Sequence, residues 1–191
     1  MASAAPVPRQ RRADPGRRNR IIDSCLEVIT EVGVAGCSAR RVAAAADVSL
    51  GSVTYHFESM DALFHEAFTR FSHTVSDRFV ARLDSLHDRD SIVQAIIDTI
   101  DHDVFGSSRD LMLTQELYTL AARDPAYRSL TNAWMKRSRA ALAPYFDEAT
   151  ARILDALVEG LTIHRALDNE PQPPGLAALA VHRLIADTPS R

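Results

Sequence analysis

The nine residues from Ser49 to Phe57, SLGSVTYHF, decide how the rest of the chain is read. Val53 and Phe57 are four apart, a spacing that holds a short helix against a core. The other positions carry a glycine, small hydroxyls, a tyrosine and a histidine, so the opposite face of that helix has something to offer a partner. Just upstream, Ser38 suits the N-cap of another short helix with Val42, Ala45 and Ala46 facing inward. Only Asp47 and Val48 connect the two. A short helix, a tight turn and a second short helix predict a helix-turn-helix, whose second helix enters the DNA major groove.

On that reading Ser49 and Leu50 open the recognition helix. Gly51 and Ser52 are small enough for its start to approach base edges or a phosphate, where free N–H groups and the positive end of the helix dipole favour an anion. Thr54 offers a hydroxyl to a base or a methyl to thymine. Tyr55 and His56 have the reach and donors for phosphate oxygens, which fix register without carrying sequence information. Ser38, Arg40 and Arg41 begin the preceding helix, where one arginine reaches a guanine O6/N7 pair and the other a phosphate. Arg17 and Arg18, with Arg9, Arg11, Arg12 and Arg20, form an arginine-rich arm expected to touch phosphates or a minor groove.

Working outward, the first sixteen residues, MASAAPVPRQRRADPG, hold three prolines and no hydrophobic periodicity, which predicts a disordered basic arm over 1–16. Ile22, Cys25, Leu26, Ile29 and Val32 then recur at helical spacing until Gly33 and Gly36 interrupt them. Ser59 opens a long amphipathic helix carrying Leu63, Phe64, Phe68, Phe71, Val75 and Phe79. Further helices are predicted over 91–105, 108–123, 125–145, 148–167 and 175–187, the last two parted by NEPQPPG. No strand alternation and no internal repeat occur. The expected fold is all-α: a three-helix head over 17–62, joined by a long fourth helix to a helical bundle within 63–191.

The 191 residues carry a net charge of −3 and are 46% hydrophobic, enough for a core. The charge is polarised. Residues 1–57 hold eight arginines against five acids, while the remainder holds fourteen basic and twenty acidic residues. A basic front on an acidic rear meets a polyanion in one orientation. No apolar run approaches a membrane span and no signal peptide is recognisable, so a soluble cytoplasmic protein with no membrane partner is expected, resident near the nucleoid. Cys25 and Cys37 lack the spacing of a zinc site and read as buried free thiols. His73, His87 and His102 lack metal-like spacing, and no nucleophile-and-base set is recognisable. Neither a metal, another cofactor nor catalysis is expected.

The joint pattern of Val48, Ser49, Gly51, Ser52, Val53, Tyr55, His56 and Phe57, with the upstream EVGVAGCSARRVA, resembles the TetR family of bacterial transcriptional regulators over about residues 17–70. Two positions depart from the family pattern: Thr54 stands where a tyrosine is frequent, and Met60 where a lysine is common. The resemblance implies an α-helical homodimer on a near-palindromic double-stranded operator, with a small-molecule effector bound in the rear domain. The function expected is that of a repressor released from its operator by that effector. The alternative is a helical ligand-binding or interaction module whose head does not bind DNA.

The rear domain needs its own reading. Ile153, Leu157, Leu161 and His164 form a stripe beside Gly160, and a glycine inside a helix costs about 1 kcal/mol relative to alanine, a reason to expect close approach by another helix. Leu176, Leu179, Ala180 and Leu184 make a second stripe. With the resemblance, both are assigned to a dimer interface. The candidate effector site takes Phe64, Phe68, Phe71, His102, Gln115, Tyr118, Trp134 and His164, with Glu116 and Asn132 beside them, because a few polar groups among apolar helices orient a small ligand.

Overall fold

The computed structural model describes residues 14–102 and 108–186. Within them the chain forms nine helices: α1 (Arg17–Gly36), α2 (Ala39–Ala45), α3 (Leu50–His56), α4 (Met60–Asp84), α5 (Arg89–His102), α6 (Ser108–Arg123), α7 (Pro125–Leu142), α8 (Glu148–Leu167) and α9 (Leu176–Ile185). The all-α architecture, with three short-range head helices and six behind, is the one the sequence predicts. Of the expected basic arm, residues 1–13 lie outside those described; Asp14 takes a hydrogen bond from the Gly16 backbone N–H at 3.1 Å and leads into α1. The expected ends of α5 at Phe105 and of α9 at Asp187 also lie outside the described residues.

Helix starts follow from side chains that satisfy the otherwise unpaired first N–H groups. Ser38 accepts from the Arg41 N–H, Ser59 from Ala62, Asp124 from Ala126 and Asp147 from Thr150. Ser49 makes no such bond; its hydroxyl meets that of Ser52 at 3.1 Å. Two details differ from expectation. The inward face of α2 is Val42, Ala43 and Ala46, with Ala45 exposed, because the buried stripe is centred between positions 42 and 43 and leaves position 45 beyond its edge. Helix α7 stops at Leu142 and not Tyr145, since Pro144 has no N–H to extend the ladder.

Two cores result. The front one joins α1, α2, α3 and the first half of α4 to Leu113, Leu117 and Ala121 of α6 and Tyr127 of α7. The rear one gathers the end of α4, α5, the end of α7, α8 and α9 around Ile96, Ile100, Leu142, Phe146 and Leu154. Helix α4, about 37 Å long at 1.5 Å per residue, runs from one core to the other. Tyr127 is buried and donates to Asp61 Oδ1 at 2.7 Å, tying the first turn of α4 to α7. Gly33 breaks α1 with φ 69°, and the next N–H, that of Val34, donates to Glu116 Oε2 of α6 at 3.2 Å.

Candidate DNA-binding face and ligand cavity

Helix α3 is pinned by Val53 and Phe57, both buried in the front core. Its other side is bare. Leu50 is 44% and Tyr55 84% exposed, and Gly51 and Thr54 are exposed beside them. A Cβ on Gly51 would meet no atom of the chain closer than 3.9 Å, so no internal contact demands a glycine there. Thr54 turns its hydroxyl back to the Gly51 carbonyl at 3.3 Å, which leaves its methyl outward. The Tyr55 and His56 rings meet edge to face at 5.1 Å. Ser38, Arg40 and Arg41 are exposed at the start of α2.

The arginines of α1 divide. Arg18 is occupied within the chain, paired with Glu66 and stacked over the Phe57 ring at 4.8 Å. Arg17 and Arg20 line a polar hollow with Asp47, Val48, Ser49 and Ser52, between the start of α1 and the start of α3, and both reach Asp14, Arg20 at 2.8 Å and Arg17 at 3.9 Å. Asp47 sits in the turn with φ 51°, a left-handed conformation that aspartate tolerates better than most residues.

Behind the head, five helices enclose a cavity of about 70 Å³, room for a few water molecules. Val75, Arg78, Phe79 and Arg82 come from α4, Thr99 from α5, Thr114 and Tyr118 from α6, Trp134, Met135 and Ser138 from α7, and Asp155, Val158 and Glu159 from α8. Arg78 pairs with the buried Asp110, Arg82 donates to Thr99 at 3.0 Å, and Arg139 approaches Asp155 at 3.5 Å. The Tyr118 hydroxyl donates to Glu159 at 2.9 Å. Burial pushes the Asp155 carboxyl up to about 6, and raises Glu159 against the opposing Tyr118 hydrogen bond.

From the residues singled out as ligand contacts, the cavity wall takes Tyr118 and Trp134. Phe64, Phe68 and Phe71 pack into the front core, and Phe71 braces Trp134 edge to face at 6.0 Å. Gln115, Asn132 and His164 point to solvent, and Glu116 goes to the backbone of α1. His102 lines a separate shallow hollow with Arg82, Leu86, Ala95 and Asp98. On α8 and α9, Ile153 is 51% and Leu179 48% exposed; Leu157, Gly160, Leu161, Leu176, Ala180 and Leu184 are half-buried beside them, and His164 is exposed. A Cβ on Gly160 would meet nothing within 4 Å, so this chain alone gives no reason for the glycine.

Residues 21–67 match the family described as "Bacterial regulatory proteins, tetR family", and residues 87–187 match "Tetracyclin repressor-like, C-terminal domain". The chain belongs to the TetR family. It is therefore a DNA-binding transcriptional regulator. This TetR-family chain is 50% identical to SCO7518 from Streptomyces coelicolor A3(2), described as a transcriptional regulator, with a TM-score of 0.83 over 89% of this chain and 98% of that one. It is 35% identical to the multidrug binding protein EbrR, solved with ethidium, at a TM-score of 0.75 over 88% of this chain and 98% of that one. CymR of Pseudomonas putida is 30% identical over 64% of this chain, a match spanning 59% of CymR. BetI of Burkholderia lata is 28% identical over 88% of this chain and 92% of its own length.

The sequence reading missed the charged part of this TetR-family cavity: Arg78, Arg82, Asp155 and Glu159. One signal was available. In LDALVEG of α8, two acids stand four apart on an otherwise apolar run, one helix face. Among the described residues no group of three metal-ligating side chains occurs, and no helix is long and apolar enough to cross a membrane.

Proposed function

We propose that this TetR-family regulator is a repressor that holds a near-palindromic operator as a homodimer and lets it go when a small molecule fills the cavity behind the head. The observation that carries the reading is the pairing of an outward, unspent α3 face with a cavity whose walls include α4, the helix that also enters the front core. Support for a small-molecule effector comes from EbrR, which has been solved with ethidium and with imidazole. Support for the homodimer comes from the exposed apolar residues on α8 and α9 and from the uncrowded Gly160.

In the dimer the two α3 helices lie about 34 Å apart, one turn of DNA, so each enters a major groove. Arg40, Ser52 and Thr54 face bases; Tyr55, His56, Arg41 and Arg17 face phosphates. Arg18 is already held by Glu66, which largely cancels its charge, so it adds little to the DNA contacts. An effector that favours a different spacing of the two heads releases the operator without unfolding anything. The test is to find the operator by selecting duplexes from a random pool, then to screen metabolites and drugs for release in a mobility-shift assay. Light scattering at micromolar concentration is expected to return a dimer mass. A monomer mass, or no salt-sensitive duplex binding, overturns the reading.

A further inference from the structure

Resting on the effector-cavity reading above, we infer that the effector is a planar aromatic monocation, with the Glu159 carboxylate as its counter-ion and the Tyr118 and Trp134 rings as its seat. Four ionisable side chains of formal charge line the cavity: Arg78 pairs with Asp110, Arg82 donates to the Thr99 hydroxyl, and of the two carboxylates Asp155 has Arg139 at 3.5 Å. The other carboxylate, Glu159, differs from Asp155. Its hydrogen-bond partner is a neutral phenol, the Tyr118 hydroxyl at 2.9 Å, and among the described residues it forms no ion pair. A half-buried carboxylate with no cation beside it is costly to keep ionised, and a cation brought in by a ligand offsets that cost.

The walls say what kind of cation. Val75, Phe79, Met135 and Val158 line the same cavity with apolar surface, which suits a delocalised organic charge and not a hydrated inorganic ion. Tyr118 and Trp134 stand with ring centroids 6.4 Å apart and planes 36° from parallel, and their faces attract a cation. Trp134 is kept in place from behind by Phe71. One unanswered carboxylate asks for one charge. The cavity is small as it stands, so the ligand enters as a thin slab that parts these two rings.

The experiment titrates the full-length dimer with three flat fluorescent probes: ethidium, a permanent cation; acridine in mildly alkaline buffer, where it is uncharged; and the anion 1-anilinonaphthalene-8-sulfonate. Ethidium is expected to bind tightest. Glu159→Gln is expected to weaken ethidium by about 10–100-fold, the range for losing a charged partner, and to leave acridine where it was, which also shows that the cavity still folds. An unchanged ethidium affinity in Glu159→Gln, an equal loss of ethidium and acridine, or stronger binding of the neutral or anionic probe overturns the counter-ion assignment while leaving the cavity as a ligand site. If no probe of any charge binds, or if Trp134→Ala alters none of them, the cavity reading itself fails and the assignment falls with it.

Discussion

On α3, Tyr55 stands 84% exposed and its hydroxyl makes no hydrogen bond among the described residues, while Ser49 and Ser52 bond only to one another. In the cavity, Tyr118 is fixed on Glu159, Arg82 on Thr99 and Arg78 on Asp110, each partner coming from a different helix. The head is a finished surface: two buried anchors hold a seven-residue helix, and its polar groups await an outside partner. The cavity is a set of contacts between helices, so anything that enters must exchange with bonds the protein already makes. A site of the first kind binds with little rearrangement, and one of the second kind changes the protein when it binds.

The largest expected effect tests whether the two regions are mechanically joined. Phe68 is fully buried in the front core and meets Tyr127 edge to face at 6.2 Å. Phe68→Ala is expected to cost about 3–5 kcal/mol and to weaken duplex binding and probe binding together, read as one denaturant transition at lower midpoint. Two separate transitions would break the comparison into independent domains. Next, Arg40→Ala is expected to cost about 1–3 kcal/mol per half-site and relax preference at one base pair, whereas Tyr55→Phe weakens all duplexes alike and leaves the salt dependence unchanged, since a neutral phenol releases no counterion. Binding isotherms on operator and scrambled duplexes over a salt series separate the two.

A smaller effect probes the cavity without a ligand. Asp155 titrates near 6 in the folded chain against an ordinary value of 3.8, chiefly through burial, so the folded state holds an extra proton between those values and its stability falls as pH rises through them. Asp155→Asn, which keeps an acceptor for Arg139, is expected to raise stability above pH 6 by on the order of 1 kcal/mol, a gain that vanishes below about pH 4. Thermal melts across that range check the sign. The smallest effect belongs to the head: Asp47→Gly relieves the left-handed turn by about 0.5–1 kcal/mol and removes an acid from the hollow lined by Arg17 and Arg20. It is expected to raise the melting temperature and to tighten binding to every duplex slightly.

The same contrast governs what was legible in the residues. The head could be read because its signals are local: the caps at Ser38 and Ser59, the anchors Val53 and Phe57 four apart, and the outward hydroxyls each lie on or beside the short helix they define. The cavity could not, because its wall draws on five helices and no spacing in one of them announces the others. Phe64, Phe68 and Phe71 looked surplus to a small core, but the front core also has to cover Leu113, Leu117 and Tyr127 from helices far along the chain. Arg18 looked free for DNA because Glu66, its partner, lies 48 residues away.

The break in α1 at Gly33 has a geometric consequence. Glu116, which receives the Val34 N–H freed by that break, stands two residues before Tyr118 on α6, and residues two apart project to opposite flanks of a helix. A side chain added at Gly33 would come within 2.7 Å of Glu116 Oε1, so the fit there is close. A roll of α6 by about 20° about its own axis shifts atoms at a radius of 5–6 Å by roughly 2 Å. That is enough to part a hydrogen bond on either flank. Were α6 to roll in this way, Glu116 and Tyr118 would move in opposite directions, so a displacement at the cavity wall would reach the end of α1 with its direction reversed and with no sliding of α6 along its length.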